Sequence, residues 1–140
     1  MTVFLSPVGG AGAQFFDNNG NPLSGGKLYT YSAGTTTPQA TYTSSSGAAF
    51  HTNPIVLDSA GRVPGSSEIW LSDGQVYKFV LKDANDVLIA TYDNISGVNS
   101  VDASRVTYDP PFIGSVITNV EAKLAQTVSV KDFGAVGDGV

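Results

Sequence analysis

The sequence predicts an all-β protein, a small antiparallel β-sheet domain, on three observations. Charged residues make up only 14% of the chain and glycine occurs 16 times, which suits short strands joined by turns better than exposed helices. Several segments alternate apolar and polar residues with the period of two that a half-buried strand requires. Glycine, proline and asparagine clusters separate these segments as turns do. The 140 residues have room for one domain, or for a domain of about 100 residues with a connector.

The clearest predicted element is a hairpin in the second half of the chain. Residues 76–82 place Tyr77, Phe79 and Leu81 on one face of a strand and lysines on the other. A short polar loop follows, and residues 87–92 form the returning strand. The alternation predicts that one face of this hairpin belongs to the hydrophobic core.

Aromatic residues also occur on two earlier segments. Residues 27–31 carry Tyr29 and Tyr31 at alternate positions, so both rings point to one face of the predicted strand. Trp70 lies in a short segment just before the hairpin. Such aromatics are more typical of a core or a subunit interface than of an exposed platform for stacking sugars. The residues predicted to serve as core or interface are Tyr29, Tyr31, Trp70, Tyr77, Phe79 and Leu81.

Outside the predicted domain, residues 13–95, the chain changes character. Residues 1–12 are interpreted as a lead-in, and residues 96–112 as a polar linker that ends in two prolines. Beyond the prolines, apolar residues spaced by four, three and four indicate a heptad seam on a helical neck, residues 113–127. The seam residues are Ile113, Ile117, Val120 and Leu124. A helix this short is marginal alone, so the seam predicts a partner, most simply copies of itself.

Composition excludes several classes of partner and cofactor. A net charge of −5, with only seven basic residues, gives no positive surface for a nucleic acid. No apolar stretch is long enough for a signal peptide or a membrane span. The chain has no cysteine, so disulfides and thiolate metal sites are excluded. Neither a metal nor another cofactor is predicted.

The sequence offers no catalytic constellation. His51 is the only histidine, and it lies in a predicted loop where a structural role is the better interpretation. Glu68 could pair with Asp58 or Asp73 as the two carboxylates of a glycosidase, but both aspartates coincide with turn signals. Arg62 is a candidate for a contact between subunits or with a tail protein, and an ordinary surface arginine is an equal alternative. No enzymatic activity is predicted for this chain.

The last residues of the chain, 128–140, carry the string Val-Lys-Asp-Phe-Gly-Ala-Val-Gly-Asp-Gly-Val from Val130 onward. This string resembles the first strand and turn of the right-handed parallel β-helix of the pectate-lyase-like superfamily, which includes the polysaccharide-degrading spikes of bacteriophages. The resemblance implies that a β-helix domain begins here.

Residues 13–95 carry a second resemblance, through the order and spacing of four segments. These are residues 25–43, residues 53–62, residues 77–81 and residues 93–95. Together they are similar to the head-binding domain of phage tailspikes and tail fibres. The resemblance implies a trimeric β-structured dome that fixes a spike to the virion tail, with a short connector leading into the β-helix.

The expected function is therefore that of a structural virion component. The chain is expected to be a homotrimeric anchor that binds a phage tail, adaptor or baseplate protein, while host-surface polysaccharide is recognised or degraded by the domain that follows. The alternative is a carbohydrate-binding or glycan-degrading module that acts directly on the host surface.

Overall fold

The structure is a computed structural model that describes residues 2–98, 103–111 and 113–126. The chain forms two compact units, Met1–Asn99 and Ser100–Val140. Strands of the N-terminal unit are β1 (Val3–Leu5), β2 (Lys27–Ser32), β3 (Ile55–Val56), β4 (Trp70–Ser72), β5 (Tyr77–Lys82) and β6 (Leu88–Ile95). The C-terminal unit contains β7 (Thr107–Tyr108), β8 (Thr118–Asn119) and one helix, α1 (Val120–Ala125). The described strands pair antiparallel, so the predicted all-β class is confirmed.

A four-stranded sheet in the order β3-β2-β5-β6 is the frame of the N-terminal unit. The predicted hairpin is confirmed as β5 and β6. Its loop is held by Asp83, whose carboxylate oxygen Oδ1 accepts the backbone N–H groups of Asn85 at 2.8 Å and Val87 at 2.9 Å. An aspartate that caps its own loop in this way supplies the backbone partners that strand pairing cannot reach.

One face of this sheet forms the core. Tyr77, Phe79 and Leu81 are buried, as predicted. The register of β2 against β5 places Leu28 opposite Leu81, so both strands contribute to the same face. The hydroxyl of Tyr77 donates to the Ala40 carbonyl at 2.9 Å and accepts the Ser72 N–H at 3.1 Å. This buried tyrosine thus satisfies its polar end as well as its ring. The other buried apolar members of the core are Leu23, Ile55, Leu57, Val63, Ile69 and Leu71.

Three of the predicted core residues lie outside the core. Tyr29 and Tyr31 are half-exposed, because the neighbouring positions of β2 turn inward and successive residues of a strand point to opposite faces. Trp70 is half-buried, and its neighbour Leu71 takes the inward position of β4. The core alternative was wrong for these three aromatics, and a role at a subunit interface stays a prediction.

The N-terminal residues belong to the first unit and are not a separate lead-in. Strand β1 pairs antiparallel with β4. The Ser6 N–H donates to the Ile69 carbonyl at 2.8 Å, and the Ile69 N–H donates to the Gly9 carbonyl at 3.0 Å. Gly9 has a φ of 71°, and a Cβ there would collide with the Ile69 side chain. The close approach explains the glycine and ties the first ten residues to the core.

The predicted helix over residues 113–127 was wrong for its first half. Helix α1 begins after Asn119, whose side chain caps it by accepting the Ala122 N–H at 2.7 Å. Before the cap, β8 pairs with β7, which lies in the stretch interpreted as a linker. Ile113 and Ile117 therefore precede the helix, and only Val120 and Leu124 lie on it.

The predicted β-helix start, residues 128–140, lies outside the described residues. Within the described ranges, no helix combines the length and hydrophobicity needed to cross a membrane.

Candidate interaction surface

The face of the four-stranded sheet opposite the core carries an ordered set of basic and aromatic side chains. We call it the lysine–tyrosine face, made of Lys27, Tyr29, Tyr31, Lys78 and Lys82. The register of β2 against β5 brings these residues together, with Lys27 opposite Lys82 and Tyr31 opposite Lys78. Each of the five is only partly buried. The strand period that sends Phe79 and Leu81 inward is what aims the lysines outward.

Rings and ammonium groups interleave on this face. The rings of Tyr29 and Tyr31 are parallel within 6°, with centroids 6.2 Å apart. Lys78 Nζ lies 5.6 Å from the centroid of Tyr31, and Lys82 Nζ lies 4.9 Å from that of Tyr29. Such cation–π contacts contribute about 0.5–1 kcal/mol at exposed sites. They hold the lysines along the rings and cover ring surface that a stacked sugar would need.

One end of the face is electrically neutralised by Asp86. Its carboxylate accepts from Lys27 Nζ at 2.8 Å and from the Tyr29 hydroxyl at 2.9 Å. These two hydrogen bonds, that of Lys27 first, lower the pKa of Asp86. The same contacts raise the pKa values of Lys27 and Tyr29. All three groups are solvent-accessible, so the network orients side chains more than it stabilises the fold.

Lys78 and Lys82 have no such compensation. Among the described residues, no carboxylate forms an ion pair with either of them. The face therefore presents two ammonium groups whose charges are not neutralised, on a chain whose net charge is −5.

Arg62 lies on the turn that follows β3. Its Nη2 donates to Gln14 Oε1 at 3.2 Å, and its backbone N–H donates to Asp58 Oδ1 at 2.9 Å. The side chain borders a depression of about 230 Å³ that Glu68 also lines. The structure thus gives Arg62 a local partner, and its contact with another subunit or a tail protein stays a prediction.

The residues considered for catalysis each have a structural partner. His51 Nε2 is hydrogen-bonded to the Glu68 carbonyl at 2.9 Å. The Glu68 carboxylate accepts from Trp70 Nε1 at 3.2 Å. Asp58 Oδ1 also accepts the Ala60 N–H at 2.9 Å, as a residue that closes a turn does. Among the described residues, no group of histidine and carboxylate side chains is arranged to hold a metal ion.

The sequence analysis assigned the two tyrosines of this surface without recognising the surface itself. A usable signal was present, since Lys27 shares the strand period of Tyr29 and Tyr31, and the lysines of β5 alternate with its core residues. What the pattern lacked was the pairing of β2 with β5, which unites the two sets.

A comparison with protein-family models gave no match, and a comparison with curated proteins gave none either. The function is therefore inferred from the geometry of the chain and from the resemblances of its sequence.

Proposed function

We propose that this chain is a structural virion component, the N-terminal anchor that attaches a phage tailspike or tail fibre to the virion tail. The anchor acts as a homotrimer, and its partner is a tail, adaptor or baseplate protein. It catalyses no reaction itself. Recognition or degradation of the host polysaccharide belongs to the β-helix domain whose start resembles residues 128–140.

The observation that carries the proposal is the junction between the two longest segments of the head-binding resemblance. Residues 25–43 and 53–62 are distant in sequence, yet β2 pairs with β3 in the sheet. The Asn53 side chain accepts the Thr30 N–H at 3.0 Å and donates to the Thr30 carbonyl at 2.7 Å. The segments that carry the resemblance thus form one substructure, which supports interpreting them as a single module.

The alternative is a module that binds or degrades host glycan directly. Two parallel tyrosine rings favour it at first sight, because flat exposed rings stack on sugars. The ammonium groups of Lys78 and Lys82 lie over these rings, however, and occupy part of the surface that stacking requires. This geometry favours a protein partner for the face.

The decisive experiment adds purified chain 1–140 to phage particles that lack their spike. We expect it to occupy the attachment sites and to prevent full-length spike from joining the particles. The Phe79→Ala chain, with its core disrupted, is the negative control. Binding to host cells or shortening of their polysaccharide, without competition on the particles, would contradict the anchor and favour the glycan module.

A further inference from the structure

The charges of the N-terminal unit are segregated. Residues 1–98 contain four basic residues, and three of them, Lys27, Lys78 and Lys82, lie on the lysine–tyrosine face. The fourth is Arg62. The carboxylates that do not belong to this face or to its adjoining hairpin loop are Asp17, Asp58, Glu68, Asp73 and Asp93. One molecule therefore carries a basic face and a predominantly acidic remainder.

The lysine–tyrosine face also has the apolar area that a contact needs. The Tyr29 and Tyr31 rings alternate with lysine stems, and Val80 lies opposite Tyr29 in the register. Val56 of β3 lies opposite Lys27, and 48% of it is exposed. Aromatic rings and long amphipathic side chains are typical of protein interfaces.

We infer that the lysine–tyrosine face is the surface through which copies of this chain associate, each face packing on the acidic surface of the next copy. Charge complementarity identifies the occupant, because the acidic surface required is the remainder of the same molecule. Opposed patches of this kind fix the orientation and favour encounter of the correct surfaces.

The charge pattern also restricts the symmetry. In a twofold dimer the same patch meets itself, so lysines would oppose lysines without carboxylates to separate them. The face is therefore unsuited to a twofold contact and requires a head-to-tail one. A head-to-tail contact closes only as a ring, and the smallest closed ring has three members. The structure of one subunit thus leads to a threefold assembly by a route independent of the heptad seam.

This inference deepens the proposed anchor, which assumes a trimer, but it can fail separately. The test measures the mass of chain 1–140 in solution by sedimentation equilibrium. The double variant Lys78→Gln/Lys82→Gln should dissociate at a concentration at least about tenfold higher than the unaltered trimer. The control Ser45→Asp/Ser59→Asp changes the net charge by the same amount at two exposed loop positions, and it should leave the trimer intact. Circular dichroism of both variants checks that they fold.

Salt gives a second readout on the unaltered chain. Raising the salt from about 0.1 M to about 1 M shortens the Debye length from about 10 Å to about 3 Å. We expect the trimer to weaken over this range, and the Lys78→Gln/Lys82→Gln variant to respond less.

Several outcomes would overturn the inference. These are a monomeric or twofold-dimeric unaltered chain, a lysine variant that associates as tightly as the serine control, and association that strengthens with salt. Binding of a soluble acidic polysaccharide to a monomeric chain, lost in the lysine variant, would assign the face to glycan instead. A monomer that still occupies spike-less particles would refute the inference and retain the anchor, whereas a trimer that ignores them would do the reverse.

Discussion

The two units of the chain use their apolar residues in opposite ways. In the N-terminal unit, residues far apart in sequence, such as Leu28, Ile55 and Phe79, meet in one core and are fully buried. In the described part of the C-terminal unit no residue is buried, and Ile113 is completely exposed. The difference teaches that apolar spacing makes a core only where strand pairing brings distant segments together. The heptad spacing after the prolines lacks that support within one chain.

The largest expected effect tests the core of the N-terminal unit. Phe79→Ala removes a fully buried ring and should lower the free energy of unfolding by about 3–5 kcal/mol. The matched control is Val80→Ala, one position along the same strand on the outer face, which should cost no more than about 1 kcal/mol. Urea denaturation measures both. Equal losses would show that the two faces of β5 do not differ as the structure indicates.

An intermediate effect is expected from the turn that precedes β2, through its response to acid. The backbone N–H groups of Asn21 and Asn19 donate to the Asp17 carboxylate, each at 2.9 Å, and lower its pKa below the ordinary 3.8. A lowered pKa in the folded state stabilises the fold above the ordinary value, and this contribution is lost as the pH falls through the folded-state pKa.

The Asp17→Asn variant retains an oxygen that can accept these N–H groups but has no charge to titrate. We therefore expect its melting temperature to fall less than that of the unaltered chain between about pH 6 and about pH 3. Parallel pH curves for the two proteins would contradict a role of this carboxylate in acid stability.

The smallest effect is expected in the C-terminal unit. Ile113→Ser and Leu124→Ser alter exposed side chains, and each should change the free energy of unfolding of the separated chain by less than about 0.5 kcal/mol. The measurement is denaturation at several protein concentrations. A larger loss that grows with protein concentration would show that these residues are covered between copies, as the heptad interpretation predicted.

The candidate surface was only half accessible to sequence reasoning. The alternation of β5 predicted correctly which of its side chains are buried, because lysines mark the outer face. The same reasoning failed for β2, whose outward side carries two tyrosines while its inward side carries Leu28 and Thr30. A strand with apolar character on both sides has no local signal for its orientation.

The sequence by itself determined the all-β class, the β5–β6 hairpin and the side of β5 that enters the core. Each depends on residues close together in the chain, where periodicity and turn chemistry act directly. Only the tertiary structure decided that β1 joins the first unit, that the tyrosines of β2 share a face with the lysines of β5, and that α1 begins at Val120. These features depend on which segments pair and on which residue caps the helix. Pairing is set by burial summed over the whole unit, and no single segment carries that information.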